Sequence, residues 1–362
     1  MSYTNGLDNP ELYFQVKTYT GTGSSQAFTL DGDEDMQPDF VWIKNRGATG
    51  HHMIFDAVRT AGDLLYSNLT SAELAAGSNG HLESFDSDGF TLGDNSGVGS
   101  SNGSTETYVA WCWKMANGTA SNSNGTNITS TVSANTTAGQ SIVSYSGSGT
   151  TSDTVGHGLS SLDLLIVKSR DETDSWFVKH KDLASSKNLN LNQTVAETDV
   201  TSAYSEGGLS NLSGNTFGFL DGTSDANAVN ESSEAHIAYC FKGVQGYSKF
   251  GSYTGNGDAD GTFIYTGFKP RWFMCKAHNA AEGWNIWDSK RSSTGNSLNE
   301  IITVQSNNAE FTATDWDIDF VSNGIKMRDA DGGFNYSGYS YIYMAFAEAP
   351  FVNSNGVPCN AR

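Results

Sequence analysis

One ordered set of landmarks occurs three times along this chain, and a polypeptide that repeats itself folds as repeated supersecondary units. Tyr19-Thr-Gly-Thr-Gly23, Tyr145-Ser-Gly-Ser-Gly149 and Tyr253-Thr-Gly-Asn-Gly257 open the repeats, 126 and 108 residues apart. Each Tyr follows an apolar residue three places earlier: Val16, Ile142 or Phe250. An apolar run ending in lysine comes next: Phe40–Lys44, Leu164–Lys168 and Trp272–Lys276. Eight residues past each lysine stands a ring (His52, Trp176, Trp284), and twelve past it stands Asp56, His180 or Asp288. A second apolar run closes each repeat, at Tyr108–Trp113, His236–Phe241 and Tyr341–Phe346.

The closing runs alternate with the period of a strand. Val109, Trp111 and Trp113 lie on one face with small Ala110 and Cys112 on the other, and the second repeat matches with Ile237, Tyr239 and Phe241 against Ala238 and Cys240. Such a strand is covered on both faces and sits centrally in its sheet, with something packed closely on the small-residue side. Elsewhere, short apolar runs are cut by Asp88-Gly89, Ser213-Gly214 and Asn323-Gly324, dipeptides that supply the positive φ of tight turns. A helix of a turn or two fits only Thr70–Ala76. The expected fold is therefore all-β and predominantly antiparallel: three tandem β-sandwich units of jelly-roll or lectin-like type, at residues 1–116, 140–243 and 244–362, the last with a C-terminal tail. Residues 117–139 contain no charge and no aromatic ring, and read as a flexible polar linker. They set the first unit apart as the one that docks.

A net charge of −20 opposes binding to nucleic-acid phosphates. No run approaches the length of a membrane span, so no membrane insertion is expected, and the first eleven residues lack the apolar core of an export signal. Cys112 and Cys240 hold the same slot in two repeats and read as small buried hydrophobes, not as a disulfide. The acidic clusters Asp31–Asp35, Asp258–Asp260 and Asp329–Asp331 lack the glycine and distal glutamate of a calcium loop, and no zinc spacing or nucleophile motif occurs. No metal, cofactor or catalytic residue is expected.

Two sets of residues remain as candidates. Lys44 with Asp56, and Lys276 with Asp288, could form internal ion pairs; alternatively each lysine marks where its strand emerges into water. Core is the default for every tryptophan; Trp284 and Trp287, near the Glu282-Gly283 turn, are the ones that could instead contact a ligand or receptor, since aromatic faces stack on sugars.

The elements S-I-V-S-Y-S-G-S-G (141–149), L-L-I-V-K-S-R (164–170), G-Y-S-K-F-G-S-Y-T-G-N-G (246–257), D-I-D-F-V-S-N-G-I-K-M-R (317–328) and Y-I-Y-M-A-F-A-E-A-P-F (341–351) resemble a repeat of structural proteins in marine tailed bacteriophages. The first repeat shares it through D-F-V-W-I-K-N-R (39–46) and Y-V-A-W-C-W-K (108–114). That repeat is of unknown function and loosely tail-fibre-like. The resemblance implies a non-enzymatic virion protein, made in the host cytoplasm and placed on the particle surface. It would meet other virion proteins and could meet a host surface glycan, as a homo-oligomer, preferably a trimer. Head-decoration or collar protein, and glycan depolymerase, are the competing expectations.

Overall fold

The computed structural model describes residues 4, 6–75, 81–94, 101–201, 208–220, 228–292 and 295–359. It is all-β, and its strands form three pairs of sheets. The one helical element among the described residues is a 3-10 turn at Pro10–Leu12, so no described helix is long and apolar enough to cross a membrane. Residues 70–75 of the expected helix carry no helical turn, and Leu74 instead bridges Leu64; Ala76 lies outside the described residues.

The larger sheet of each pair has one repeating order. An opening strand (Phe14–Thr20, Gln140–Ser146 or Ser248–Thr254) lies beside a closing strand (Thr107–Trp113, Ala235–Phe241 or Ser340–Pro350). Next come the lysine strand (Phe40–Asn45, Leu164–Ser169 or Phe268–Ala277) and a return strand (Met53–Asp56, Phe177–His180 or Trp284–Asp288). Every neighbour in this order is antiparallel. The opening tyrosine stacks on the ring opposite it each time: Tyr19 on Tyr108, Tyr145 on His236 and Tyr253 on Tyr341, at 5.1, 5.1 and 4.9 Å.

The small-residue face of each closing strand packs on its own smaller sheet. Ala110 and Cys112 meet the layer of Phe28, Phe90 and Leu92, and Ala238 and Cys240 meet that of Val155, Phe217 and Phe219. The bulky face turns the other way. Trp111, Trp113, Tyr239, Phe241, Met344 and Phe346 belong to a single core shared by all three sheet pairs. At its centre Phe346 lies 5.6 Å from Trp113 and 6.1 Å from Phe241. The alternation read from the sequence thus serves two different interiors.

Residues 117–139 are not a flexible connector. Ala120–Asn122 and Ser130–Asn135 are strands that extend the second large sheet, the latter paired along the opening strand from Thr131↔Ser144 to Asn135↔Gln140. Strand pairing is a backbone property, so a segment without charge or aromatic rings can still take a sheet edge, and buried Val132 and Ile128 are enough to fix its faces. The first sheet pair is accordingly bonded to the second, not set apart from it.

Candidate functional site

The repeat positions place functional-looking side chains where one sheet pair meets the next. Glu73 N donates to Arg170 O, Glu197 N to His278 O, and Glu310 N to Arg46 O, at 2.8, 2.7 and 3.0 Å. These are the first-to-second, second-to-third and third-to-first contacts, so the three sheet pairs close a ring. The ring eight residues past each lysine crosses the same boundaries. Trp176 Nε1 donates to Tyr66 O (3.0 Å) and Trp284 Nε1 to Asn190 O (2.9 Å), while His52 Nε2 lies 3.1 Å from Thr303 O.

Two of these boundaries carry the same buried charge network. Arg59 Nε donates to Asp56 at 2.6 Å and Arg291 Nε to Asp288 at 2.5 Å, all four side chains being fully buried. The other arm of each arginine reaches Glu73 or Glu310, which also holds Arg170 or Arg46 of the neighbouring sheet pair. The closing strand of the neighbour completes the site: Tyr239 Oη donates to Asp56 (2.7 Å) and Trp111 Nε1 to Asp288 (2.9 Å). Burial opposes the Arg59 charge, yet Asp56, Tyr239 and Glu73 hold its pKa above the ordinary guanidinium value.

The lysine–aspartate ion pairs do not form. Lys44 pairs with Val109 at one end of its strand, whereas Asp56 sits opposite Phe40 at the other end. Four residues of strand separate them, roughly 13 Å, and the same register separates Lys276 from Asp288. Nor do the lysines emerge into water. Lys44 Nζ donates to Asn45 O (2.6 Å), Lys168 to Ser169 O and Glu172 O (2.6 and 2.9 Å), and Lys276 to Ala277 O and Ala280 O. Burial drives each lysine pKa down to about 8.

Trp284 and Trp287 are buried and offer no face to a ligand. Trp284 belongs to the shared core, and Trp287 packs within the third sheet pair against Phe273, Phe334 and Trp316. Sequence reasoning missed Asn102, Asn230 and Asn335, buried residues whose Oδ1 atoms accept from Thr22, Ser148 and Asn256 N and pin the Gly-x-Gly loops. Alignment of the repeats from each closing strand backwards would have found them.

An open cleft of about 680 Å³ lies at the second-to-third boundary. Lys181 and Asp163 form one wall, Lys249, Tyr265 and Thr266 the other, and Gln245 stands between them. Tyr265 is 54% exposed, and Lys249 Nζ lies 5.2 Å from its ring centroid while donating to Tyr265 O at 2.6 Å. Lys181 is 3.4 Å from Asp163. Among the described residues, no group of three or more His, Cys, Asp or Glu side chains is arranged to hold a metal ion.

A family model described as a domain of unknown function, DUF7483, matches residues 9–350. No curated protein and no solved structure matches the chain.

Proposed function

We propose, from the premise that the chain belongs to the DUF7483 family, that it is a non-enzymatic structural protein of a tailed-bacteriophage virion surface. Its place would be a tail fibre or similar appendage that meets the host. The observation that carries this reading is the closed ring: one polypeptide repeats the same heterologous contact three times and so builds a threefold body by itself. Such a body fits a threefold axis as a single copy, an arrangement that stands beside the homotrimer expected from analogy. The buried arginine, aspartate and tryptophan groups at the boundaries are consumed in holding the ring rigid, as a load-carrying module requires.

Two measurements test it. Light scattering of the purified chain should give the 38.7 kDa of one copy, and a trimer mass would remove the single-copy arrangement. Antibody-labelled particles should show gold at the tail appendage. Label on the head or collar would support a decoration role, and release of reducing ends from host polysaccharide would overturn the non-enzymatic reading.

A further inference from the structure

The ring has three equivalent boundary grooves, each between one sheet pair and the opening strand of the next. At the first-to-second boundary the added strand Ser130–Asn135 covers the opening strand. At the third-to-first boundary only about 30 Å³ remains. There Arg271 meets Glu11 (3.4 Å), and Lys290 (3.1 Å) and Lys17 both meet Asp31, so carboxylates of the chain itself close the groove over the cations. At the second-to-third boundary Asp163 stands at the position of Arg271, one residue before the lysine-strand segment paired to the closing strand. That groove stays open and is lined by Lys181 and Lys249, with Lys181 Nζ 3.4 Å from Asp163 Oδ1 and Lys249 Nζ donating to Tyr265 O. Asp163 Oδ2 is already engaged by Gly243 N at 2.6 Å.

We infer that the second-to-third groove binds a carboxylate-bearing saccharide, with Tyr265 as the platform for a sugar ring and Lys181 and Lys249 as the partners of its carboxylates. The inference rests on the host-contact reading above and names its ligand class. Three observations converge on it. The volume suits two or three sugar units, since ligand pockets usually span about 300–1,000 Å³. The half-exposed tyrosine lies beside amide and hydroxyl groups (Gln245, Thr266) that can bond sugar hydroxyls. The cations sit together on a chain of net charge −20, where the homologous groove satisfies its cations with Glu11 and Asp31. The Lys249 pKa is lowered by burial and then by the Lys181 charge, the mutual repulsion that an anionic ligand relieves.

The test is calorimetric titration of the full chain at low salt with trigalacturonate and trimannuronate, and with neutral maltotriose as control. Saturable binding of at least one acidic trisaccharide is expected, with maltotriose at least about tenfold weaker. Tyr265→Ala and Lys249→Gln should each cost about tenfold or more, and Lys181→Gln, an exposed change that leaves melting untouched, should also weaken binding and its salt dependence. Absence of saturation by both acids up to about 10 mM, equal binding of maltotriose, or variants that bind like the parent would each overturn the inference. Particle labelling reads the virion role separately: label at the appendage with no acid binding sinks only the ligand, and acid binding without label sinks only the location.

Discussion

The first-to-second and second-to-third boundaries occupy equivalent places in the ring and share a backbone bond from a glutamate, yet different chemistry holds them. In the former, Asp56, Arg59, Glu73 and Arg170 form a buried network. In the latter, His180 stands at the aspartate position, Leu183 at the arginine position and His278 at the second arginine, with a 2.8 Å contact to Glu197. The third-to-first boundary, which no peptide segment bridges, has the charged version. Only the second and third sheet pairs are joined by a short junction, Lys242–Tyr247. A short tether holds its partners at high effective concentration, so apolar packing suffices there. Buried ion pairs add little net stability over apolar side chains but make the wrong pairing costly, and a ring that must close its ends without a tether uses that selectivity.

The comparison breaks most visibly at the ring closure. Arg291→Ala strands Asp288 and Glu310 in the interior and should cost about 3–5 kcal/mol, read by chemical denaturation. A loss near zero would mean that the network does not hold the ring. Leu183→Ala, the apolar counterpart, should cost about 2–5 kcal/mol through its cavity, without the salt dependence of the charged site.

Acid should sharpen the contrast. Burial lowers the His180 pKa to about 3 from the ordinary 6.5. Between those values the unfolded chain binds the extra proton, so stability is full above pH 6.5 and falls as pH drops through the window. His157 and His236, each lowered to about 4 by burial, add to the same limb. In His180→Leu, urea midpoints followed from pH 7 to 4 should fall less steeply, by about one proton's worth of slope. On the alkaline side, Lys44, Lys168 and Lys276 act with the same sign. Their folded pKa of about 8 lies below the ordinary 10.5, so unfolding takes up protons in that window and stability rises with pH from about 8. The rise should stall above 9, where Cys112, Cys240 and Cys275 titrate in the unfolded chain while burial keeps them protonated in the folded one.

The smallest effects test interchangeability. Glu197→Gln removes a partly exposed contact and should cost no more than about 1 kcal/mol. The double change Asp56→His with Arg59→Leu, which writes the apolar boundary into the charged one, should lose far less in thermal melting than Asp56→His alone.

Much of the fold was readable because side-chain alternation is local. The central closing strands and the small faces at Cys112 and Cys240 needed no long-range information; of the three glycine turn signals, Gly214 has the expected positive φ, whereas Gly89 and Gly324 open strands without it. The site residues fared worse. Lys44 and Asp56 are twelve apart in sequence, but antiparallel pairing sends them to opposite ends of adjacent strands. Trp284 and Trp287 follow the Glu282-Gly283 segment, where exposure is usual, but they lie on opposite faces of one strand, and a neighbouring sheet pair covers Trp284 while the third pair's own smaller sheet covers Trp287. The strands of 120–135 were hidden because their pairing uses backbone groups that every residue owns.

Repetition and period-two patterning, both properties of the linear order, determined that this chain is all-β and that its strands have one bulky and one small face. Which interior each face enters, which boundaries are charged and which groove stays open were decided only in three dimensions. A strand's pattern states that both faces are covered, whereas the identity of the cover is set by contacts between residues more than a hundred positions apart, such as Trp111 with Asp288.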